Sequence, residues 1–260
     1  LIIDEIQYAP ELLPYIKIRA DQTHQNGLYY LTGSQMFHIM RRVSESLAGR
    51  VGILSMYSLS RAEIEGRASA PFLPGQIKIK ESSDTITDIF EKIYRGGMPQ
   101  MITDRELMPE DYFGAYMQTY LERDIRDLIA VKDENKHPYS GNIIKRVAKR
   151  PKLYFMDTGL ACYLTYWNNP RALELSAMAG AMFENYAVSE IIKGYANQGI
   201  DVRNRFCYYR DNNGREIDLM NFSILDSLPE ETGEGAVICM TPVVIPLDEK
   251  NRLVPLACIS

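Results

Sequence analysis

The stretch Leu1-Ile2-Ile3-Asp4-Glu5-Ile6-Gln7 decides the interpretation of the fold, because it sets two carboxylates directly after a short apolar run. Apolar residues that end in acids predict the end of a buried strand. A second buried strand is predicted over residues 28–31 and a third over residues 51–56. Helix spacing is present over residues 11–25 and 36–47. Strand, helix, strand, helix, strand in this order predicts a parallel α/β sheet.

The rest of the chain alternates between helical and extended patterns. Helices are predicted over residues 84–94, 111–131, 159–166 and 172–195, and strands over 152–156, 206–210, 216–220, 236–240 and 253–259. Asp157 is a predicted helix N-cap, and Asp211-Asn212-Asn213-Gly214 predicts a β-hairpin. We therefore expect three parts: an α/β part over 1–66, a helical connector over 67–136 and a second α/β part over 137–260.

Composition excludes several classes of protein. Hydrophobic residues make up 46% of the 260 residues, which is enough for each part to bury a core and excludes a disordered chain. No apolar run approaches the roughly 18 residues that cross a bilayer, so no membrane role is expected. A net charge of -5 excludes a strongly basic nucleic-acid binder as a description of the whole chain. The four cysteines form no CxxC pair, which favours reduced thiols in a cytoplasmic protein.

Polar residues at the predicted strand ends fit nucleotide hydrolysis. Asp4 would hold Mg²⁺ through water, and Glu5 would orient the attacking water. Ser34 follows the second strand, which in a parallel sheet lies beside the first, so its hydroxyl can reach a terminal phosphate or its water. The alternatives are a solvated strand end for the two acids and a helix N-cap for Ser34.

Arg50 precedes the third predicted strand. A guanidinium at this point could stabilise negative charge on a phosphate during transfer, in its own subunit or in a neighbour's. The alternative is a surface arginine at the end of a helix, where the helix dipole favours a cation.

Several segments taken together resemble a large bacterial and archaeal family of AAA+-type ATP-binding proteins. The segments are residues 1–7, 30–35, 46–51, 59–63, 93–99, 120–125, 152–160, 180–185 and 208–218. Members of that family join an ATPase core to a C-terminal domain with a restriction-endonuclease-like fold. The resemblance implies ATP and Mg²⁺ as ligands, Asp4 and Glu5 as Walker B acids, Ser34 as sensor 1 and Arg50 as an arginine finger or sensor. The implied fold class is a partial P-loop-type parallel sheet, a helical connector and a partial restriction-endonuclease-like α/β domain.

The chain departs from the family pattern at the phosphate loop. That loop should precede the Walker B strand, yet the sequence begins at Leu1 without an initiator Met and holds no Gly-Lys pair. Backbone N–H groups and a lysine of such a loop make most of the contacts to phosphate. We expect the 260-residue chain by itself to bind ATP weakly and to hydrolyse it negligibly.

A second departure lies near residue 136. The family places a winged helix-turn-helix there, and tens of residues are missing by comparison. The following segment is basic and contains no acid, with Lys145, Arg146, Lys149, Arg150 and Lys152. Such a patch could contact the phosphates of DNA, and a solvated loop is the alternative.

The third departure concerns a nuclease-like metal site. Glu184 and Asp218 match its first two acids, and Glu216 is a neighbouring carboxylate. The acid-x-Lys expected on the next strand is absent, since Asp248-Glu249-Lys250 lies in a predicted turn. A vestigial metal site with no DNA cleavage is therefore expected.

Three functions follow, in this order of preference. The first is an ATP-dependent switch or motor of the AAA+ type. The second is a DNA-binding or nuclease-like module that depends on Glu184, Asp218 and the basic segment. The third is a catalytically inactive interaction protein. If Arg50 acts in a neighbouring subunit, the protein is at least a dimer.

Overall fold

The computed structural model describes residues 1–34, 47–77, 84–121, 152–202, 205–210, 216–221 and 234–259. The chain divides into two compact units. The first unit comprises Leu1–Ile53 with Met117–Lys132, and the second comprises Leu54–Tyr116 with Asp133–Ser260. The predicted boundary at residue 136 lies outside the described residues, and the three-part division stays a prediction.

The first unit contains a small parallel sheet and one helix. Strand β1 (Ile2–Ile3) is followed by two 3-10 turns (Ile6–Tyr8 and Pro10–Leu12), helix α1 (Leu13–Thr23) and strand β2 (Tyr30–Leu31). Ile2 lies opposite Tyr30 and Ile3 opposite Leu31 in parallel register. The predicted parallel pairing and the helix between the strands are confirmed.

The size and burial of this sheet differ from the prediction. Residues 51–56 are exposed and form no strand, so the predicted third strand is wrong. A β-prone run becomes a strand only beside a partner, and no described strand lies next to this one. The first two strands are not buried either, since Ile2 is 72% exposed and Tyr30 is 62% exposed. The predicted helix over 36–47 falls almost entirely outside the described residues.

A small apolar cluster fixes the chain directly after β1. Ile6, Leu13, Ile16 and Leu47 are buried together, with Ile3 and Leu31 packed against them. Burial of Ile6 anchors the turn that follows the two acids. The carboxylates of Asp4 and Glu5 are therefore presented at the end of the sheet rather than within the cluster.

The second unit is built around helices. They are α2 (Arg61–Ile64), α3 (Ile86–Arg95), α4 (Pro99–Thr103), α5 (Pro109–Tyr116), α6 (Thr158–Leu164), α7 (Pro170–Glu174) and α8 (Ala179–Ala196). The strands are β3 (Phe206–Arg210), β4 (Glu216–Asn221), β5 (Gly235–Cys239), β6 (Ile245–Pro246) and β7 (Asn251–Pro255). Strands β3 and β4 pair antiparallel, β5 pairs parallel with β7, and β6 pairs antiparallel with β7. The main core lies between α3, α6, α8 and the end of β7.

Several predicted elements of this unit are confirmed. Helix α3 and the β3–β4 hairpin lie where the sequence places them, and the four turn residues of the hairpin fall outside the described residues. Asp157 caps α6 by accepting the Leu160 N–H at 2.9 Å. Its other oxygen accepts the Gly97 N–H at 2.8 Å, which joins the loop after α3 to the start of α6.

Two predictions in this unit are wrong. The pattern over residues 172–195 is two helices, because Leu175–Met178 leave the helical path between α7 and α8. Residues 152–156 form no strand. The amide of Asn185 on α8 takes the place of a partner strand, accepting the Phe155 N–H at 2.7 Å and donating to the Phe155 carbonyl at 2.8 Å.

A buried charged network holds the segment around α2 against α8. Glu190 and Lys193 are 2% and 3% exposed, and their charged atoms are 3.2 Å apart. Glu190 also accepts the Arg61 backbone N–H at 2.6 Å, while Lys193 donates to the Leu59 carbonyl at 3.2 Å. The start of α2 is thereby fixed to the longest described helix.

No helix within the described ranges has the length and apolar character needed to cross a membrane.

Candidate functional site at the end of the parallel sheet

The end of the two-stranded sheet is held by backbone hydrogen bonds on both sides of the predicted acids. Thr32 donates its N–H to the Ile3 carbonyl at 2.9 Å, and Ile6 donates its N–H to the Thr32 carbonyl at 3.0 Å. The carboxyl ends of parallel strands meet at one edge of a sheet. Asp4 and Glu5 therefore lie beside the residues that follow β2.

Asp4 is exposed at this edge, and its carboxylate accepts a hydrogen bond from the Thr32 hydroxyl. The sequence alone indicates no role for Thr32. Its position as the first residue after β2 was the available signal, since the strand register that places Ser34 at this edge also places Thr32 there. The pair presents one negative group with a fixed hydroxyl beside it.

Glu5 has an unusual backbone conformation. Its φ of 52° and ψ of 46° lie in the left-handed region, which a non-glycine residue seldom adopts and which costs free energy. The side chain is half-buried, and one of its oxygens, Oε2, accepts from the Gln7 amide and lies 3.5 Å from the Ser34 hydroxyl. Asp4, Glu5 and Ser34 are thus brought together, as the strand order predicts. Their catalytic roles stay predictions.

Arg50 has different partners. Its guanidinium donates to the Asp21 carboxylate on α1 and, at 3.1 Å, to the Ala48 carbonyl. The hydrogen bond from Arg50 lowers the pKa of Asp21, and the same bond raises the pKa of Arg50. Both side chains are well exposed. The arginine-finger role remains a prediction.

The second predicted site, Glu184 with Asp218, is also brought together, and a lysine joins the two acids. Lys152 Nζ lies 3.1 Å from a Glu184 oxygen and 2.6 Å from an Asp218 oxygen. Tyr154 donates its hydroxyl to the same Glu184 oxygen at 2.6 Å. Burial, followed by this bond to Glu184, raises the pKa of Tyr154. The ammonium group occupies the space between the two carboxylates.

Lys152 was predicted as part of a basic patch rather than as a partner of the two acids. The other four basic residues of that patch lie outside the described residues. Asp248 caps its own turn by accepting the N–H groups of Lys250 and Asn251 at 2.8 and 2.7 Å, which fits the turn predicted for that segment. Among the described residues, no group of three or more His, Cys, Asp and Glu side chains converges as metal ligands would.

A divalent cation at Glu184 and Asp218 has to displace the Lys152 ammonium. We expect Lys152→Met to raise the affinity of the chain for Mn²⁺ by at least about tenfold, because removal of a cation about 3 Å away leaves the carboxylates uncompensated. Isothermal titration with Mn²⁺ measures the change. Lys152→Met combined with Asp218→Asn is the control and should return to the affinity of the wild type. Equal Mn²⁺ affinity of the wild type and Lys152→Met would contradict the expectation.

Comparison with known proteins finds a domain match over each of the two sites. Residues 1–65 match an AAA domain family, and residues 179–223 match a domain of unknown function, DUF4143. The first match contains Asp4, Glu5, Ser34 and Arg50, and the second contains Glu184 and Asp218. A restriction-endonuclease-like fold has no support from these matches.

Two relatives are similar over most of the chain. They are the uncharacterized proteins Rv2008c of Mycobacterium tuberculosis and Mb2031c of Mycobacterium bovis, each 24% identical over 254 residues, which is 84% of this chain and 55% of the relative. The chain thus spans about half the length of these curated relatives. No solved structure matches the chain.

Proposed function

We propose that the sheet edge formed by Asp4, Glu5, Thr32 and Ser34 is the hydrolytic part of an ATP site in an AAA-type ATPase. The observation that carries the proposal is the convergence of two strand-end carboxylates and a hydroxyl at one edge of a parallel sheet. The match of residues 1–65 to an AAA domain supports it. The activity belongs to the whole protein, because the chain lacks the residues that would cradle the phosphates.

The donor set at this edge fits Mg²⁺. This ion takes oxygen ligands and keeps several water molecules in its coordination shell. The other ligands are one or two carboxylates and the phosphates of a substrate. Asp4 offers an exposed carboxylate that is already oriented by the Thr32 hydroxyl. When bound, Mg²⁺ would neutralise charge that develops on the phosphates. Asp4 would hold it through the hydrogens of its water ligands.

Glu5 and Ser34 would act on the water and on the terminal phosphate. Glu5 accepts a proton from the attacking water while the water oxygen bonds to the γ-phosphorus and the bond to the bridging oxygen breaks. The products are ADP and inorganic phosphate. The Ser34 hydroxyl, 3.5 Å from Glu5, can turn to donate to a γ-phosphate oxygen. This change of partner would report the nucleotide state to the rest of the protein.

The role of Asp4 is tested by nucleotide binding to the full-length protein that contains this chain. Asp4→Asn should weaken Mg-ATP binding by about tenfold or more, the usual effect of removing a group that orients metal-bound ligands. With EDTA in place of Mg²⁺, the variant and the wild type should bind ATP equally. A Mg-dependent affinity that is unchanged in Asp4→Asn would remove Asp4 from the metal site.

The second candidate function is a DNA-directed module in the second unit. The meeting of Glu184 and Asp218 favours it, while the Lys152 ammonium between them opposes metal-dependent cleavage. The test is Mg²⁺-dependent cleavage of plasmid DNA. Cleavage that is lost in Asp218→Ala would favour this function over the ATPase. Self-association through Arg50 is a further proposal, and sedimentation of the full-length protein with ATP would test it.

A further inference from the structure

Gln7 contacts both the predicted base and the predicted sensor. Its amide nitrogen donates to Glu5 Oε2 and lies 3.5 Å from the Ser34 hydroxyl oxygen. The Ser34 hydroxyl approaches the same Glu5 oxygen at 3.5 Å. Three polar groups therefore share one corner of the sheet edge, and each of them contacts the other two.

The orientation of the amide is fixed by chemistry. A carboxylate only accepts hydrogen bonds, so the NH₂ group of Gln7 has to face Glu5. The amide oxygen then points away, and it is buried without a hydrogen-bond partner among the described residues. An unpaired buried carbonyl lowers the stability of the folded state.

The two oxygens of the Glu5 carboxylate differ in their hydrogen bonds. Oε2 receives the hydrogens of Gln7 and Ser34, whereas Oε1 accepts no hydrogen bond from the described residues. A general base has to lie within hydrogen-bond reach of the water that it deprotonates, and hydrogen bonds from neighbouring groups hold a catalytic side chain in its productive geometry. We propose that Gln7 is a positioning residue that holds the Glu5 carboxylate with Oε1 toward the attacking water. This inference rests on the proposed ATPase function.

The positioning role of Gln7 is tested by measuring the ATP turnover of the full-length protein. Gln7→Met keeps the shape of the side chain and removes the amide. It should lower kcat by about tenfold, the effect of one hydrogen bond to a charged group, and leave the KM for ATP within about twofold. Gln22→Met on the exposed face of α1 is the matched control and should leave both values unchanged.

A double-mutant cycle distinguishes a positioning role of Gln7 from a structural role in which its loss disturbs the fold. Because Gln7 acts through Glu5, adding Gln7→Met to Glu5→Gln should change the remaining rate by less than about twofold. A further tenfold loss in that background would show a structural role and overturn the inference. If Glu5→Gln itself leaves turnover unchanged, the proposed function is wrong, and the inference about Gln7 falls with it. If Glu5→Gln abolishes turnover while Gln7→Met does not change it, only the inference fails.

A second readout needs neither nucleotide nor activity. In an NMR spectrum of the 260-residue chain, the side-chain amide signal of Gln7 is the one that Gln7→Met removes. Glu5→Gln should shift this signal, because its charged acceptor is lost, whereas Asp4→Asn should leave it nearly unchanged. A Gln7 signal that does not respond to Glu5→Gln would contradict the contact on which the inference depends.

Discussion

Replacing Glu190 by Ala is expected to destabilise the second unit by about 3–5 kcal/mol, the typical cost of leaving one partner of a buried ion pair uncompensated. Lys193 would keep a charge that is 3% exposed, with the Leu59 carbonyl as its remaining hydrogen-bond acceptor among the described residues. The Arg61 N–H at the start of α2 would lose its acceptor as well. Urea unfolding followed by circular dichroism measures the change.

An exposed pair with the same sequence spacing provides the control. Arg171 and Glu174 are also three residues apart on a helix, but the Arg171 side chain is 61% exposed. Arg171→Ala should cost less than about 1 kcal/mol, as exposed pairs usually do. Glu190→Gln should fall between the two variants, because it can still accept the Arg61 N–H. Equal losses for Glu190→Ala and Arg171→Ala would show that burial of the Glu190 network contributes nothing.

The largest effect on activity is expected at Glu5. In the full-length protein, Glu5→Gln should lower ATP turnover by at least about 100-fold, since general-base catalysis typically contributes 10²- to 10⁴-fold. Gln has nearly the shape of Glu and removes only the ability to accept a proton. The affinity for Mg-ATP should therefore change little, and the KM should stay close to that of the wild type.

Two substitutions serve as comparisons for this assay. Glu11→Gln changes an exposed carboxylate of the first unit that is not part of the sheet edge, and it should leave turnover unchanged. Ser34→Ala should cost less than Glu5→Gln, because it removes a hydrogen bond and not a proton acceptor. Equal turnover in Glu5→Gln and the wild type would exclude Glu5 as the base.

The sequence predicts those parts of the fold that local signals determine. The turn residues Asp211-Asn212-Asn213-Gly214 predict the β3–β4 hairpin, and an acid before a helix predicts the Asp157 cap. Apolar runs on both sides of an amphipathic segment predict the parallel pairing of β1 with β2. In each case the residues that specify the element are close to it in the sequence.

The wrong predictions involve contacts that are distant in the sequence. Residues 152–156 have a strand pattern, but the backbone of Phe155 pairs with the side-chain amide of Asn185, 30 residues away. Residues 51–56 have a similar pattern and find no described partner strand. The sequence pattern reports what a segment can form and not which neighbour it meets.

In the candidate sites too, the sequence predicts what strand order determines and misses contacts that depend on the folded chain. Asp4, Glu5 and Ser34 were predicted to meet because strand order places them at one edge. The contact of Gln7 with Glu5 is formed across a left-handed turn at Glu5, which the sequence does not reveal. Lys152 joins Glu184 and Asp218 across 32 and 66 residues, and only the folded chain shows that contact.

The chemical state of bound nucleotide tests the central claim most directly. Full-length Glu5→Gln protein is mixed with Mg-ATP, passed through a desalting column and denatured, and the released nucleotide is identified by chromatography. If the sheet edge at Asp4 and Glu5 is the hydrolytic site, the variant releases ATP where the wild type releases ADP. Release of ADP from Glu5→Gln at the rate of the wild type would contradict the claim.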